Sequence, residues 1–300
     1  MPCRPCAPRI ARSLFLSSTL LVALLLVAPP LQAAEIFVNT TSDSIVDNDG
    51  RCALREAVAA ANADMALHGC SAGDGPDTIV LGSADYTMAV AGANEDGNLT
   101  GDFDIVDDLT IRPTDGISLV RIDAAGLDRI FDVRGGVSLT LERLELRGGD
   151  VLGFGGAIVT FDPATLLSVR NCVISNNTAS IFGGGIAADG PTEVVDSFIF
   201  NNEAAIGGGI HLFGDNRLVV ARSEVTSNSV NSDGGGIWGA RMFIVESSIS
   251  ENRADRDGGG IFLRDDGGPA DSQIINSTIA WGESFRLRTC FPKSPPGRYS

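Results

Sequence analysis

Histidine and lysine, the usual nitrogen bases of catalysis, are scarce in this 300-residue chain: His68, His211 and the single lysine Lys293. Carboxylates are abundant, with 38 Asp and Glu against 22 Lys and Arg. A glycoside hydrolase needs two facing carboxylates. A polyuronate lyase must neutralise a uronate carboxylate, remove the C5 proton and protonate the leaving oxygen. One stretch, Asp255, Arg256, Asp257, Arg264, Asp265 and Asp266, holds the residue types of a calcium-dependent lyase. A solvated charged loop accounts for it more simply. His68 and His211 stand without a partner motif, so each is read as a surface histidine, with His211 pointing outward from a strand. The run Asp43 to Gly50 resembles half of a calcium loop, with Asp47 and Asp49 as its candidate ligands. The twelfth position is Leu54 where an EF-hand needs an acid. Calcium is the one cofactor these residues suggest, and no catalytic residue is assigned. At 6% aromatic content, a sugar-stacking platform is not evident.

The elements that would position such groups begin after an export leader. Arg4, Arg9 and Arg12 precede an apolar run from Leu14 to Val27, then Pro29, Pro30 and small residues up to Ala34. This layout predicts a secretory signal over 1–34 rather than a membrane span, because the apolar core falls short of the roughly 20 residues a span requires. Its removal takes three arginines and no acid, leaving a net charge of −19. That charge argues against nucleic acid and anionic membranes as partners. The expected location is secreted or at the cell surface.

From about residue 140 the sequence repeats. Gly-Gly-(Gly/Ala)-Ile recurs with isoleucines at 158, 186, 210, 237 and 261, at intervals of 28, 24, 27 and 24 residues. Asparagines 177, 202, 228 and 252 recur in step. Counted back from these, Ile174, Ile199, Val225 and Ile249 share one column, and Cys172, Ser197, Ser223 and Ser247 another. Glycine clusters exclude a helical solenoid, since each glycine costs about 1 kcal/mol in a helix. Short β-branched runs of period two between turns of about 25 residues fit an all-β, parallel β-helix with three short strands per turn. Equivalent residues then stack at the interstrand spacing of about 4.8 Å. Asn177, Asn202, Asn228 and Asn252 become a ladder of side-chain amides at a bend, and the glycines serve positive-φ turns or close backbone approach.

The Gly-Gly-Ala-Ile mark, with Phe198-Ile199-Phe200-Asn201, resembles the repeat of polymorphic outer-membrane adhesins. A second resemblance lies upstream. Cys52-Ala53-Leu54-Arg55-Glu56-Ala57 is similar to the CSLREA motif, with Ala53 for the usual Ser, flanked by Asp77-Thr78-Ile79, Gly101 to Ile105 and Asp128 to Val133. This resemblance implies an N-terminal module leading into a right-handed, pectate-lyase-like β-helix on exported, often surface-attached proteins. It implies no catalytic activity.

Residues 53–64 read as a short amphipathic helix that caps the raw end of the solenoid. Cys52 and Cys70 flank it and are the natural disulfide pair in an oxidising compartment. Arg55 and Glu56 read as an ion-paired tie from the cap to the first coil, and Cys172 as a small buried residue. The predicted organisation is signal 1–34, cap and first coils 35–135, β-helix repeats 136–282, and an aberrant tail 283–300. The repeat breaks at Gly282, where asparagine is due, and the composition turns basic and proline-rich, as in a truncated or frameshifted gene. Two functions remain open: a non-catalytic adhesion or scaffolding module recognising a carbohydrate or a protein of a neighbouring cell, and an enzyme that degrades an acidic polysaccharide.

Overall fold

The computed structural model describes residues 33–46, 49–93, 95–264 and 272–280. All of the leader except residues 33 and 34, together with Gly282 and the tail, lies outside the described residues, and so does Asp47. Among the described residues the chain is a parallel β-helix with one helix, and no helix is long and apolar enough to cross a membrane.

Each strand pairs in parallel with its counterpart one coil away. Three faces carry nine, eight and seven strands. They begin at Glu35–Phe37, Tyr86–Thr87 and Phe103–Ile105 and end at Gln273–Ile275, Thr278–Ile279 and Ile261–Leu263. A fourth stack of five two-residue strands, from Asp150–Val151 to Arg253–Ala254, forms a corner between the second and third faces. One coil therefore reads Leu166–Arg170, Val173–Ser175, Thr178–Ala179, Ile186–Ala188. The periodicity predicted three strands per turn; the corner strand is the fourth, too short to show an alternation of its own.

The corners explain the glycines and much else. Each regular coil makes three one-residue left-handed bends. The first falls at Asn171, Asp196, Arg222 or Glu246, the second at Asn176, Asn201, Ser227 or Glu251, and the third at Gly183, Gly207, Gly234 or Gly258. Only the third is reserved for glycine. The other two glycines of a triplet serve close approach: a Cβ on Gly184 would lie 2.5 Å from the Glu203 backbone, and one on Gly185 2.6 Å from the Gly209 carbonyl.

Inside, Ile174, Ile199, Val225 and Ile249 pair in register and are fully buried, as are Ile158, Ile186, Ile210 and Ile237. Each such side chain contributes about 1.5–3 kcal/mol by leaving water. Val151, Ala179, Ala204, Val230 and Ala254 form a separate small apolar stripe on the corner strands.

Two buried polar ladders run beside the core. Asn177 Nδ2 donates to Asn202 Oδ1 (2.9 Å), Asn202 to Asn228 (3.0 Å) and Asn228 to Asn252 (2.9 Å). Each rung also donates to a carbonyl of the preceding coil, as from Asn202 to Ile174 (3.0 Å). The Oδ1 of each rung further accepts the backbone N–H of the rung before it, so no group of the amide is left over. The serine column does the same work: Cys172, Ser197, Ser223 and Ser247 donate their backbone N–H to the hydroxyl of the next coil, at 3.0–3.1 Å. Cys172 stands where serine belongs, and burial pushes its thiol up to about 12.

At the N-terminal end, Leu54–Asn62 is the helix, with Leu54, Ala57, Val58 and Ala61 buried. Cys52 and Cys70 are joined by a disulfide with Cα atoms 4.8 Å apart. Glu56 accepts the backbone N–H of Ala53 (2.8 Å) and of Val46 (2.7 Å), capping the helix start. Arg55 has no solvent exposure. It holds Asp43 through Nε (2.7 Å) and Nη2 (3.2 Å), donates to the carbonyls of Gly101 and Asp102, and lies 4.7 Å above the Phe103 ring. Arg55 and Glu56 thus tie the cap down by separate routes, and the ion pair is with Asp43.

Candidate functional site

The seven-stranded face presents one outward column along its length: Asp104, Asp132, Val159, Ala187, His211, Trp238 and Phe262, paired coil to coil. Their neighbours in sequence point into the core, so pleat alternation sends these side chains out. The column changes character along the solenoid.

Near the cap it is charged. Arg129 Nη1 bridges Asp102 and Asp132 at 2.9 Å each, and Arg134 Nη2 holds Asp132 at 2.7 Å. Asp102, Asp104, Asp128 and Asp132 are at most 4% exposed. Burial, opposed by Arg129 and reinforced by the neighbouring carboxylates, raises Asp102 to about 7. Burial likewise raises Asp104 to about 6. These are the most perturbed carboxylates in the described chain, which is where acid–base chemistry would be sought. Their surroundings leave a polymer no access, because Asn98 and Arg55 close over Asp102 and Asp104 from the cap side. The cavity beside Asp43, lined also by Leu54, Tyr86 and Phe103, has an empty volume of only about 210 Å³.

Farther along, rings replace charges. Phe154, Phe182, His211, Trp238 and Phe262 form one stack, with centroids 5.3, 4.4, 4.4 and 6.1 Å apart. The first two rings come from the loop after the corner strand, in coils where the strand offers Val159 or Ala187. The last three come from the strand itself, and there the loop position of Phe154 and Phe182 holds Ile206, Asp233 and Asp257 in place of a ring, followed as in the other coils by the positive-φ glycine. Each coil supplies one ring from one source or the other. Phe213 lies alongside, 5.7–5.8 Å from Phe182 and Phe154 and steeply tilted to both, and Phe161 meets Phe154 edge-on at 5.7 Å. Sugar stacking needs a free ring face. Here the faces of Phe182, His211 and Trp238 are occupied on both sides by neighbouring rings.

His211 is therefore not a surface histidine. It is 2% exposed between Phe182 and Trp238, and burial, then the charge of Arg264, pushes its pKa down to about 3. The outward direction was right, but loop rings fold over the strand and cover it. His68 is half-buried in the turn that returns to Cys70, with a φ of 52°. The described members of the run Asp255 to Asp266 do not converge. Arg253 pairs with Asp255, Arg256 bonds Ser232, and Arg264 reaches Gly214 and Asp215 while lying 5.2 Å over Trp238; Asp265 and Asp266 lie outside the described residues. Asp49 accepts the backbone N–H of Arg51 in an exposed turn. Among the described residues no three His, Cys, Asp or Glu side chains are placed to hold a metal ion.

At the Phe154–Phe182 end of the ring stack, large apolar side chains remain exposed. Leu152 is 96% exposed, Phe161 47% and Ile181 40%. Sequence reasoning missed this strip because its members sit in loops at unequal offsets from the repeat marks. The signal available was the pairing of Leu-Gly-Phe (152–154) with Ser-Ile-Phe (180–182) just ahead of the glycines, where the later coils carry Asn-Ser-Asp and Asp-Arg-Asp. Comparison with known proteins found no matching family model, no matching curated protein and no matching solved structure.

Proposed function

We propose that this chain is a non-catalytic, exported β-helix that works by adhesion or scaffolding, as a rigid body displaying a recognition surface. The observation that carries this reading is the contrast on the outward column: the charged groups near the cap are sealed into ion pairs, while the loops beside Phe154 and Phe182 expose large apolar side chains. Such a surface can bind but offers no base or acid to a polymer. Export is supported by the leader-like 1–34 and by the Cys52–Cys70 disulfide, which suits an oxidising compartment. The CSLREA-like motif points to the same setting. The alternative, cleavage of an acidic polysaccharide, would have to run through Asp102 and Asp104 and would need the cap to open. The test is incubation of the leader-free chain with pectate, polygalacturonate and alginate, with and without calcium, following absorbance of the unsaturated product and release of reducing ends. The same preparation, labelled, is assayed for saturable binding to cell surfaces. No turnover with saturable binding is expected. Turnover abolished by Asp102→Asn would replace this reading with the enzymatic one.

A further inference from the structure

We propose that the apolar strip of Leu152, Phe161 and Ile181, backed by the Phe154–Phe182 stack, is the docking surface for a cationic amphipathic segment of a partner protein. This rests on the binding reading above and names the partner's chemistry.

Three observations carry it. The first is exposure without disorder. The strip lies on loops fixed by backbone bonds between coils: Ile181 donates to the Gly153 carbonyl at 2.9 Å, Gly155 donates to Phe182 at 2.9 Å, and Phe154 pairs with Phe182. Apolar groups held rigidly in water lose little entropy on binding, which favours a built interface over incidental exposure.

The second is the rim. Asp150 and Glu203 stand on the corner strands at one side; Asp162, Asp189 and Asp215 stand at the turns leaving the seven-stranded face at the other. Burial, then the nearby Asp162 carboxylate, holds Asp189 above its ordinary range, while Asp215 is paired with Arg264.

The third is the distribution of positive charge. Between Gly148 and Asn216 the only Lys or Arg is Arg170; from outside this span Arg264 reaches Asp215 and Arg129 approaches Gly153, which leaves Asp162 and Asp189 as the acidic charge of the second border. Arg170 lies on the nine-stranded face, bonded to Ser168 and Glu193, away from the strip. An apolar stripe between two acidic borders is the complement of a basic amphipathic helix or strand: its apolar face covers the rings and its Lys or Arg side chains reach both borders. Ring edges, which carry positive partial charge, favour the apolar part of such a ligand and not its cations, so the cations belong at the rim.

The experiment uses the leader-free chain and two fluorescein-labelled synthetic peptides of one amphipathic pattern, Leu/Lys and Leu/Glu, titrated by anisotropy and checked by calorimetry. The Leu/Lys peptide is expected to bind saturably and at least about tenfold more tightly than Leu/Glu, a difference of roughly 1.4 kcal/mol. Leu152→Ser with Phe161→Ser should weaken it about tenfold, and Asp162→Asn with Asp189→Asn about fivefold. The first pair is exposed and the second half-buried, and both should leave the melting temperature nearly unchanged. Binding of Leu/Lys that ignores the apolar pair would reduce the effect to net charge and overturn the proposal. Equal binding of Leu/Glu, preference for an anionic polysaccharide, or no saturable binding would overturn it as well. If these probes fail while the chain still binds cell surfaces, the docking site is wrong and the adhesion reading stands; if both fail, the adhesion reading falls too.

Discussion

The coils near the cap and the coils beyond residue 165 are fastened by different chemistry. Near the cap, arginines clamped on buried carboxylates do the work, together with the fully buried Arg55: Arg55 on Asp43, Arg129 on Asp102 and Asp132, Arg134 on Asp132. Beyond it the buried rungs are neutral, asparagine on asparagine and serine hydroxyl on backbone. The difference follows from stacking. A column of like charges at a repeat of about 4.8 Å would repel at every rung, whereas an amide both donates and accepts and can be copied without limit. Charged fastening must be aperiodic, with each arginine fitted to its own carboxylates. It suits the place where a non-repeating helix meets a repeating solenoid.

The sharpest way to break this comparison is to remove a partner from each half. Arg55→Met should cost about 3–5 kcal/mol, because it strands the Asp43 carboxylate and two carbonyl oxygens in a dry site. Asn202→Ala, which orphans groups on Asn177 and Asn228, should cost about 2–3 kcal/mol. Urea unfolding measures both. Limited proteolysis should place the first lesion at the cap and the second in the coils. Equal costs, or a cap left protected in Arg55→Met, would refute the distinction.

Reduction is expected to act on one half only. The Cys52–Cys70 bridge spans 18 residues, and loops of this size are typically stabilised by about 3 kcal/mol. Cys52→Ser with Cys70→Ser should raise hydrogen exchange in the helix and leave the Asn202 and Asn228 amides slow. Exchange that rises evenly along the solenoid would mean that cap and coils unfold as one unit.

Acidity separates the halves by sign. Asp102 and Asp104 sit at about 7 and 6, above the ordinary 3.8, so the folded state holds more protons than the unfolded chain between about pH 4 and 7. Stability from these groups is full below that window and is lost as pH rises through it. Asp43 works in the opposite sense. Its burial is outweighed by the Arg55 hydrogen bonds, which hold it below 3.8, so its contribution falls away in stronger acid. The melting temperature should peak near pH 5 and decline towards pH 8, and Asp102→Asn should flatten that decline. The neutral ladders contribute no slope, so a pH dependence unchanged in Asp102→Asn would contradict the assignment.

The smallest expected effect concerns the one rung that departs from its column. Cys172→Ser restores the hydroxyl found at Ser197, Ser223 and Ser247, with good acceptors already placed at the Leu141 and Arg170 carbonyls. A gain of up to about 1 kcal/mol is expected, read as a rise in melting temperature. A loss of more than that would mean that the site is sized for sulfur.

Period and register were legible in the sequence wherever identical residues recur. The columns of Ile199 and Asn202 and the parallel pairing follow from spacing, because in a solenoid a residue's environment is set by its copies one turn away, and the single helix follows from composition and its apolar face. The strip and the ring stack were not legible. Phe154 and His211 belong to different positions of the repeat, yet they fill the same outward groove. The reason is steric: a loop ring covers the strand where its outward residue is Val159 or Ala187, and a strand ring stands where that loop position holds Ile206, Asp233 or Asp257. Trade-offs of that kind conserve volume and do not conserve position, so no column records them. The burial of His211, the pairing of Arg55 with Asp43 across 12 residues and the sealing of Asp102 were likewise decided by tertiary structure. Each depends on which aperiodic segment folds over a periodic one.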